Sequence, residues 1–169
     1  DFSCLVVISQ STDSTEEVAQ DFNSRDQRFL FVSETTRGIY EAMNDGIRFT
    51  DSEFICFMNS GDRFQSERSL AMLINEIERS GAEVVIGNFF VDDECYVRRK
   101  WPGRKIGLRE YAFNRNWGNH QSMIFRRQKM DVKYDLRYPI AADFKYVLEH
   151  LARGHGRLIP EPIARITSG

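Results

Sequence analysis

Short unbroken apolar runs alternate with amphipathic stretches along the first half of this chain. Residues 4–8 (CLVVI) form a run of strand length, as expected of a strand covered on both faces. A polar loop, 9–13, follows, and Ser14 with Glu17 reads as a capping box that opens a helix to about Phe22. The pattern then predicts a strand at 28–33, a helix at 39–49, and a buried strand at 53–58 that runs into NSGD at 59–62. In the segment 66–80, Leu70, Leu73, Ile74 and Ile77 share one helical face, and Gly81 stands as the stop. Residues 83–91 read as a strand, 92–94 as a turn, and 96–101 as its hairpin partner. The pattern dissolves over 102–118, resumes as a strand at 120–126, and ends in a helix carrying Phe144, Val147, Leu148 and Leu151 before Gly154.

Strands alternating with helices at the front argue for an α/β fold with a largely parallel sheet and helices on both faces. No internal repeat or low-complexity tract divides the chain, and its 169 residues suit a single domain over 1–169. The change of pattern near residue 92 separates a front half, about 1–92, from a more irregular half, about 93–169. The chain starts almost directly on a strand and stops at TSG, as expected of a piece of a longer protein.

A net charge of −2 gives no footprint for nucleic acid, which needs a concentrated basic face. The local basic cluster (Arg98, Arg99, Lys100, Arg104, Lys105) would meet phosphates, an anionic membrane surface, or only solvent. Cys4, Cys56 and Cys95 are too far apart for a metal-binding spacing; Cys4 and Cys56 lie in apolar runs and read as small hydrophobes, and a reducing, cytoplasmic setting is the simplest.

In open α/β sheets ligands bind beyond the carboxyl ends of the strands. Three polar loops stand there: 9–13, 33–38 and 59–62. Neither a P-loop nor a G-x-G-x-x-G turn is present, so a divalent metal is the remaining common means of neutralising a diphosphate. Asp62 supplies a carboxylate directly after a strand, although NSGD is also good turn chemistry. Asp143 opens a helix, where an acid is favoured as a cap or by the helix dipole. Trp101, Tyr111 and Trp117, in and beside the irregular segment, would stack on a sugar ring or simply anchor a loop.

Taken together, TRGIYEAMNDGI at 36–47 followed by FICFMNSGD at 54–62 resembles the large inverting glycosyltransferase family 2. STDST at 11–15, HQSMIF at 120–125 and IAAD at 140–143 fall in the family's order, and the likeness looks nearest to bacterial polysaccharide-assembly members of the colanic acid type. This resemblance implies a GT-A fold, with a nucleotide-binding half joined to a variable acceptor half in one continuous mixed sheet. It implies that Asp62 binds Mg²⁺ or Mn²⁺ and through it the diphosphate, and that Asp143 is the base for the acceptor hydroxyl. Ser9, Gln10, Ser11, Arg37, Gly38, Asn44, Asn59 and Gly61 then fall on the side of a nucleotide-diphosphate sugar donor. His120, Gln121 and Trp117 fall on the side of a saccharide or lipid-linked saccharide acceptor, which suggests peripheral association with the inner face of a membrane.

The match has gaps. Ile8-Ser9-Gln10 stands where relatives carry an acid for the nucleotide base, and Asn59 and Gly61 stand where many carry acids for the metal. The family's first strand is also missing. A degenerate, non-catalytic binding module is therefore the alternative. A sugar-1-phosphate nucleotidyltransferase is a further one, without the glycine-rich, arginine-containing loop expected of it.

Overall fold

The computed structural model describes residues 2–9, 12–34, 38–91, 94–97, 103–113, 118–127 and 132–167. Contacts divide the chain into two compact units, Asp1–Asp51 with Lys133–Ala142, and Ser52–Val132 with Asp143–Gly169. The division follows spatial neighbours and cuts the chain at places other than residue 92.

The first unit contains β1 (Cys4–Ser9), α1 (Thr15–Arg25), β2 (Phe29–Glu34) and α2 (Ile39–Arg48). β1 and β2 run parallel, in register from Cys4 opposite Phe29 to Ser9 opposite Glu34. The expected capping box does not form. Ser14 occupies the cap position at ψ 13°, outside the extended region that aims a capping side chain, and the Asp13 carboxylate accepts the Thr15 N–H instead at 2.9 Å. α2 buries Met43 and Ile47, four residues apart on one face. Residues 133–142 return to this unit through Tyr134, whose ring stacks on Tyr40 with centroids 5.3 Å apart.

The second unit is built around β5 (Val84–Val91) and β9 (Gly156–Ile166), which pair in parallel. Across the sheet the order is β3 (Phe54–Ile55), β8 (Met123–Arg126), β5, β9 and β4 (Arg63–Phe64). β6 (Glu94–Val97) adds to β5 and β7 (Arg104–Ile106) to β9. The two longest ladders, β1–β2 and β5–β9, are parallel and the short ones antiparallel, which gives a mixed α/β arrangement. Among the described residues these ladders form two sheets, one in each unit, where one continuous sheet was expected.

Leu73 and Ile77, from the predicted stripe on α3 (Ser69–Ser80), pack with Val85, Ile124, Ile159 and Ile163 as the core. Gly81 ends α3 in the left-handed region at φ 63°, as its composition foretold. The segment read as irregular over 102–118 contains β7 and α4 (Leu108–Phe113), whose Tyr111 is buried and stacked on Phe144. Tyr111 thus packs helix α4 against Phe144. Arg104, from the basic cluster, pairs with Glu110. Among the described residues no helix is long and apolar enough to cross a membrane.

β9 is the element that the hydrophobic pattern missed. Two prolines, Pro160 and Pro162, argue against a central strand because each removes a ladder donor. The structure accommodates them by a register shift. β9 takes eight steps from Leu158 to Ile166 while β5 takes five from Ile86 to Val91. At the shift the buried Asn88 amide donates to the Pro160 carbonyl at 2.8 Å. Gly87 lies where the two strands come closest, and a Cβ there would stand 2.3 Å from Ile163 Cγ1.

Two outcomes follow from this core. Gly87→Ala should lower unfolding free energy by about 1–3 kcal/mol, the usual cost of overpacking, and Ile163→Ala, which removes the Cγ1 that the new methyl would strike, should make the double variant lose less than the sum of the two single losses; urea denaturation of the single and double variants measures both. The second concerns pH. His150, on α5 (Ala142–Leu151), is buried against Phe125 and Tyr146 with Nδ1 2.9 Å from the Tyr146 carbonyl. Burial, only partly offset by that carbonyl, lowers its pKa, and burial lowers that of His155 as well. The unfolded chain therefore binds protons that the folded chain refuses. Their stabilising contribution is complete above about pH 6.5 and is lost as pH falls below it. The thermal midpoint should drop between pH 7.5 and 5.5, and His150→Gln should flatten that drop.

Candidate active site

β3 ends at Ile55, and the chain turns back at 59–62 to enter β4. The turn closes through the main chain, with the Asp62 N–H on the Asn59 carbonyl at 3.1 Å. Its third residue, Gly61, sits at φ 85°, the value that a type II turn requires at that position and that glycine adopts without strain. Because the backbone makes the turn, the Asp62 side chain is spared for other partners. Gln121 Nε2 donates to its Oδ2 at 2.6 Å, and the Thr167 N–H donates to its Oδ1 at 2.9 Å. Thr167 Oγ1 also donates to the Gly61 carbonyl at 2.7 Å. Thr167 lies just past β9, and no sequence signal marked it, because the strand that delivers it was hidden by its prolines.

Asp143 stands in the first turn of α5, with Oδ1 accepting the Phe144 N–H at 2.7 Å. Its Oδ2 faces His120 Nδ1 at 3.8 Å, beyond hydrogen-bond range but within reach of a small side-chain rotation. Burial, and then the Asp143 charge, push the Tyr111 phenol above its ordinary range.

His120 and Gln121 belong to a 3₁₀ turn, His120–Ser122, that leads into β8. The cap of this turn is Asn119: its side chain accepts from the Gln121 N–H, and its carbonyl from the Ser122 N–H. Both residues are buried, His120 at 8% exposure and Gln121 at 3%. Among the described residues neither ring nitrogen of His120 has a hydrogen-bond partner, nor does Gln121 Oε1. Buried polar atoms without partners are uncommon and costly, and here they cluster between two carboxylates. Consecutive side chains thus reach two acids remote in sequence, His120 toward Asp143 and Gln121 onto Asp62.

The other expected site residues fall in several places. Gln10, Ser11, Arg37 and Trp117 lie outside the described residues, as does Trp101. Ser9 ends β1 with its main chain opposite Glu34. Gly38 caps α2 in extended conformation, with open space around it. Asn44, expected on the donor, is committed elsewhere: its Nδ2 donates to the Tyr134 carbonyl at 2.9 Å, and its Oδ1 accepts the Tyr134 N–H at 2.7 Å. Asn59 contributes its carbonyl to the turn described above.

Among the described residues no three His, Cys, Asp or Glu side chains gather as a ready-made metal site. Asp62 offers one carboxylate, with one acceptor position on each oxygen already used and the remainder available. That is the donor chemistry of a hard divalent ion held by one or two carboxylates, with phosphate oxygens and water completing the shell.

Residues 1–147 match the model of glycosyl transferase family 2. A PGL/p-HBAD biosynthesis glycosyltransferase of Mycobacterium bovis (strain BCG / Pasteur 1173P2) is 27% identical over 150 residues, which cover 86% of this chain and 57% of that protein. Glycosyltransferase GlyA of Streptococcus pneumoniae is 26% identical over 90 residues, 53% of this chain and 13% of its own length. The chain therefore spans a little over half of its mycobacterial relative. In fold it is similar to S. aureus TarS, whose structure in complex with UDP covers 99% of this chain at a TM-score of 0.78 and 14% identity, the chain matching 52% of it. The α/β arrangement is thus GT-A-like. None of these relatives is named as a colanic acid enzyme, and that finer likeness is unsupported.

Asn44 gives the test specific to this geometry. Asn44→Ala removes both hydrogen bonds from its side chain to the main chain of the buried Tyr134 and should cost about 1–3 kcal/mol of stability, read by urea denaturation.

Proposed function

The chain belongs to glycosyl transferase family 2, and from that premise we propose that the full-length protein moves a sugar from a nucleotide-diphosphate sugar to an acceptor hydroxyl with inversion. The observation that carries the reading is the His120–Gln121 turn, whose neighbouring side chains meet Asp62 and Asp143. An inverting transfer uses one carboxylate as the base toward the incoming alcohol, and a second could serve the leaving diphosphate through a bound divalent ion. The UDP named for the TarS structure supports a nucleotide-linked donor. The naming of the mycobacterial relative as a biosynthetic glycosyltransferase supports a role in assembling a bacterial polysaccharide or lipid-linked saccharide.

In the proposed reaction the acceptor oxygen forms a bond to the anomeric carbon as the bond from that carbon to the diphosphate oxygen breaks. The electron pair leaves on the nucleoside diphosphate, and the acceptor proton passes to Asp143 Oδ2. Phe144 N–H holds the other oxygen of Asp143, which fixes the direction of the carboxylate. His120, beside Oδ2, is placed to stabilise the acid after it has taken the proton or to hand that proton on. Asp62 would hold Mg²⁺ or Mn²⁺, which when bound offsets charge on the leaving diphosphate.

A second reading is a binding module without turnover, favoured by the single carboxylate at the metal position. Asp143→Asn in the full-length protein separates the two. It should leave UDP affinity within about twofold and cut sugar transfer by about 10²-fold or more, as loss of a positioned base does. Transfer at the wild-type rate would remove Asp143 from its role, and UDP binding without any transfer by the wild type would favour the module.

A further inference from the structure

We infer that Gln121 and the main chain of Thr167 are positioning residues for Asp62, so that Gln121 serves the donor side of the site and not the acceptor. The inference rests on Asp62 being the cation and diphosphate side. It begins from the freedom of an aspartate on an exposed turn. The terminal torsion of Asp is broad and two-fold, so a lone carboxylate presents its oxygens in many directions. Here each oxygen is held by a different element, Oδ2 by Gln121 from the 3₁₀ turn and Oδ1 by the N–H of Thr167 past the end of β9. Two donors on two oxygens fix the plane of the carboxylate and leave the remaining lone pairs on defined edges.

The orientation of Gln121 is forced by the same contact. Its side chain is buried, and one end of its amide lies 2.6 Å from Asp62 Oδ2. Turning the amide over would bring Oε1 against a carboxylate oxygen, two acceptors facing at hydrogen-bond distance. The nitrogen must therefore point at Asp62, which leaves Oε1 buried without a partner. An amide that served only to fill space would be replaceable by an apolar group without that cost. The unpaired oxygen is the consequence of presenting a donor to Asp62.

Thr167 secures the other side in two ways. Its N–H holds Asp62 Oδ1, and its hydroxyl holds the Gly61 carbonyl, so the turn and its carboxylate are both tied to the end of β9. Hydrogen bonds of this kind to a metal-binding carboxylate are worth about 10–100-fold in metal affinity.

The test is Mn²⁺ binding by the full-length protein, followed by the electron paramagnetic resonance of the ion with and without UDP. Gln121→Leu should weaken Mn²⁺ binding in the presence of UDP by about 10–100-fold. Gln121→Glu sets a second carboxylate beside Asp62 and should tighten Mn²⁺ binding in the absence of UDP. A packing role would not give opposite signs for the two substitutions. Should either buried variant fail to fold, the exposed Thr167 decides: Thr167→Pro removes the N–H donor and should weaken Mn²⁺ binding with UDP, while Thr167→Ala, which keeps that N–H, should weaken it less. Wild-type affinity in both Gln121→Leu and Thr167→Pro would overturn the inference. If the unmodified protein shows no Mn²⁺-dependent UDP binding, the donor reading of Asp62 fails first and the positioning role falls with it.

Discussion

Between Leu158 and Ile166, β9 advances eight residues while β5 beside it advances five, and the surplus is absorbed in two adjacent shifts that flank Asn88. That place is closely specified. Gly87 leaves room for Ile163, Asn88 supplies the donor for the Pro160 carbonyl, and both prolines fall within the shifted stretch. Much of the second unit hangs from these two strands. β8 pairs with β5 and carries the His120–Ser122 turn at its start; β4 pairs with β9 and carries the Asp62 turn at its start. The end of β9 supplies Thr167. A one-residue change in the β5–β9 register would shift the Thr167 N–H away from Asp62 and reverse which side chains face the core.

The site has an energetic logic of its own. Most buried polar groups in proteins find partners, because an unpaired one forfeits hydration without replacement. The two nitrogens of His120 and Oε1 of Gln121 break that pattern side by side, at the place where two carboxylates are held. Such a cluster costs stability, and in a folded protein that cost is tolerated where function needs polar groups poised for a ligand. The thin set of acids beside Asp62 belongs to the same logic. With one carboxylate, a divalent ion bound there in the proposed reaction would depend on the diphosphate for much of its shell, which would couple metal and donor.

Much of this was legible in the chain. Residues 4–8, 28–33 and 83–91 are strands because their apolar runs leave no polar face, and α3 begins and ends close to where its stripe and Gly81 place it. The NSGD turn was equally readable, since Gly61 supplies the positive φ that the geometry requires. Local pattern erred where a local rule was overridden from a distance. The capping box failed because Ser14, at ψ 13°, does not hold the extended conformation that aims its side chain at the Glu17 amide. Irregular residues 104–106 became β7 because β9 offered an edge to pair with. β9 itself was unreadable because its prolines argue against any strand that lacks a partner shaped to accept them.

What the sequence determined alone is therefore the set of elements whose hydrophobic period is strong, the turn that presents Asp62, and the family likeness carried by the motifs around it. The tertiary structure decided which partners the polar side chains take. Asn44 went to the backbone of Tyr134, and Gln121 and Thr167 went to Asp62 across separations of 59 and 105 residues. The reason is physical: apolar periodicity is a local property of a chain, whereas the partner of a polar atom is fixed only when folding brings distant segments within about 3 Å.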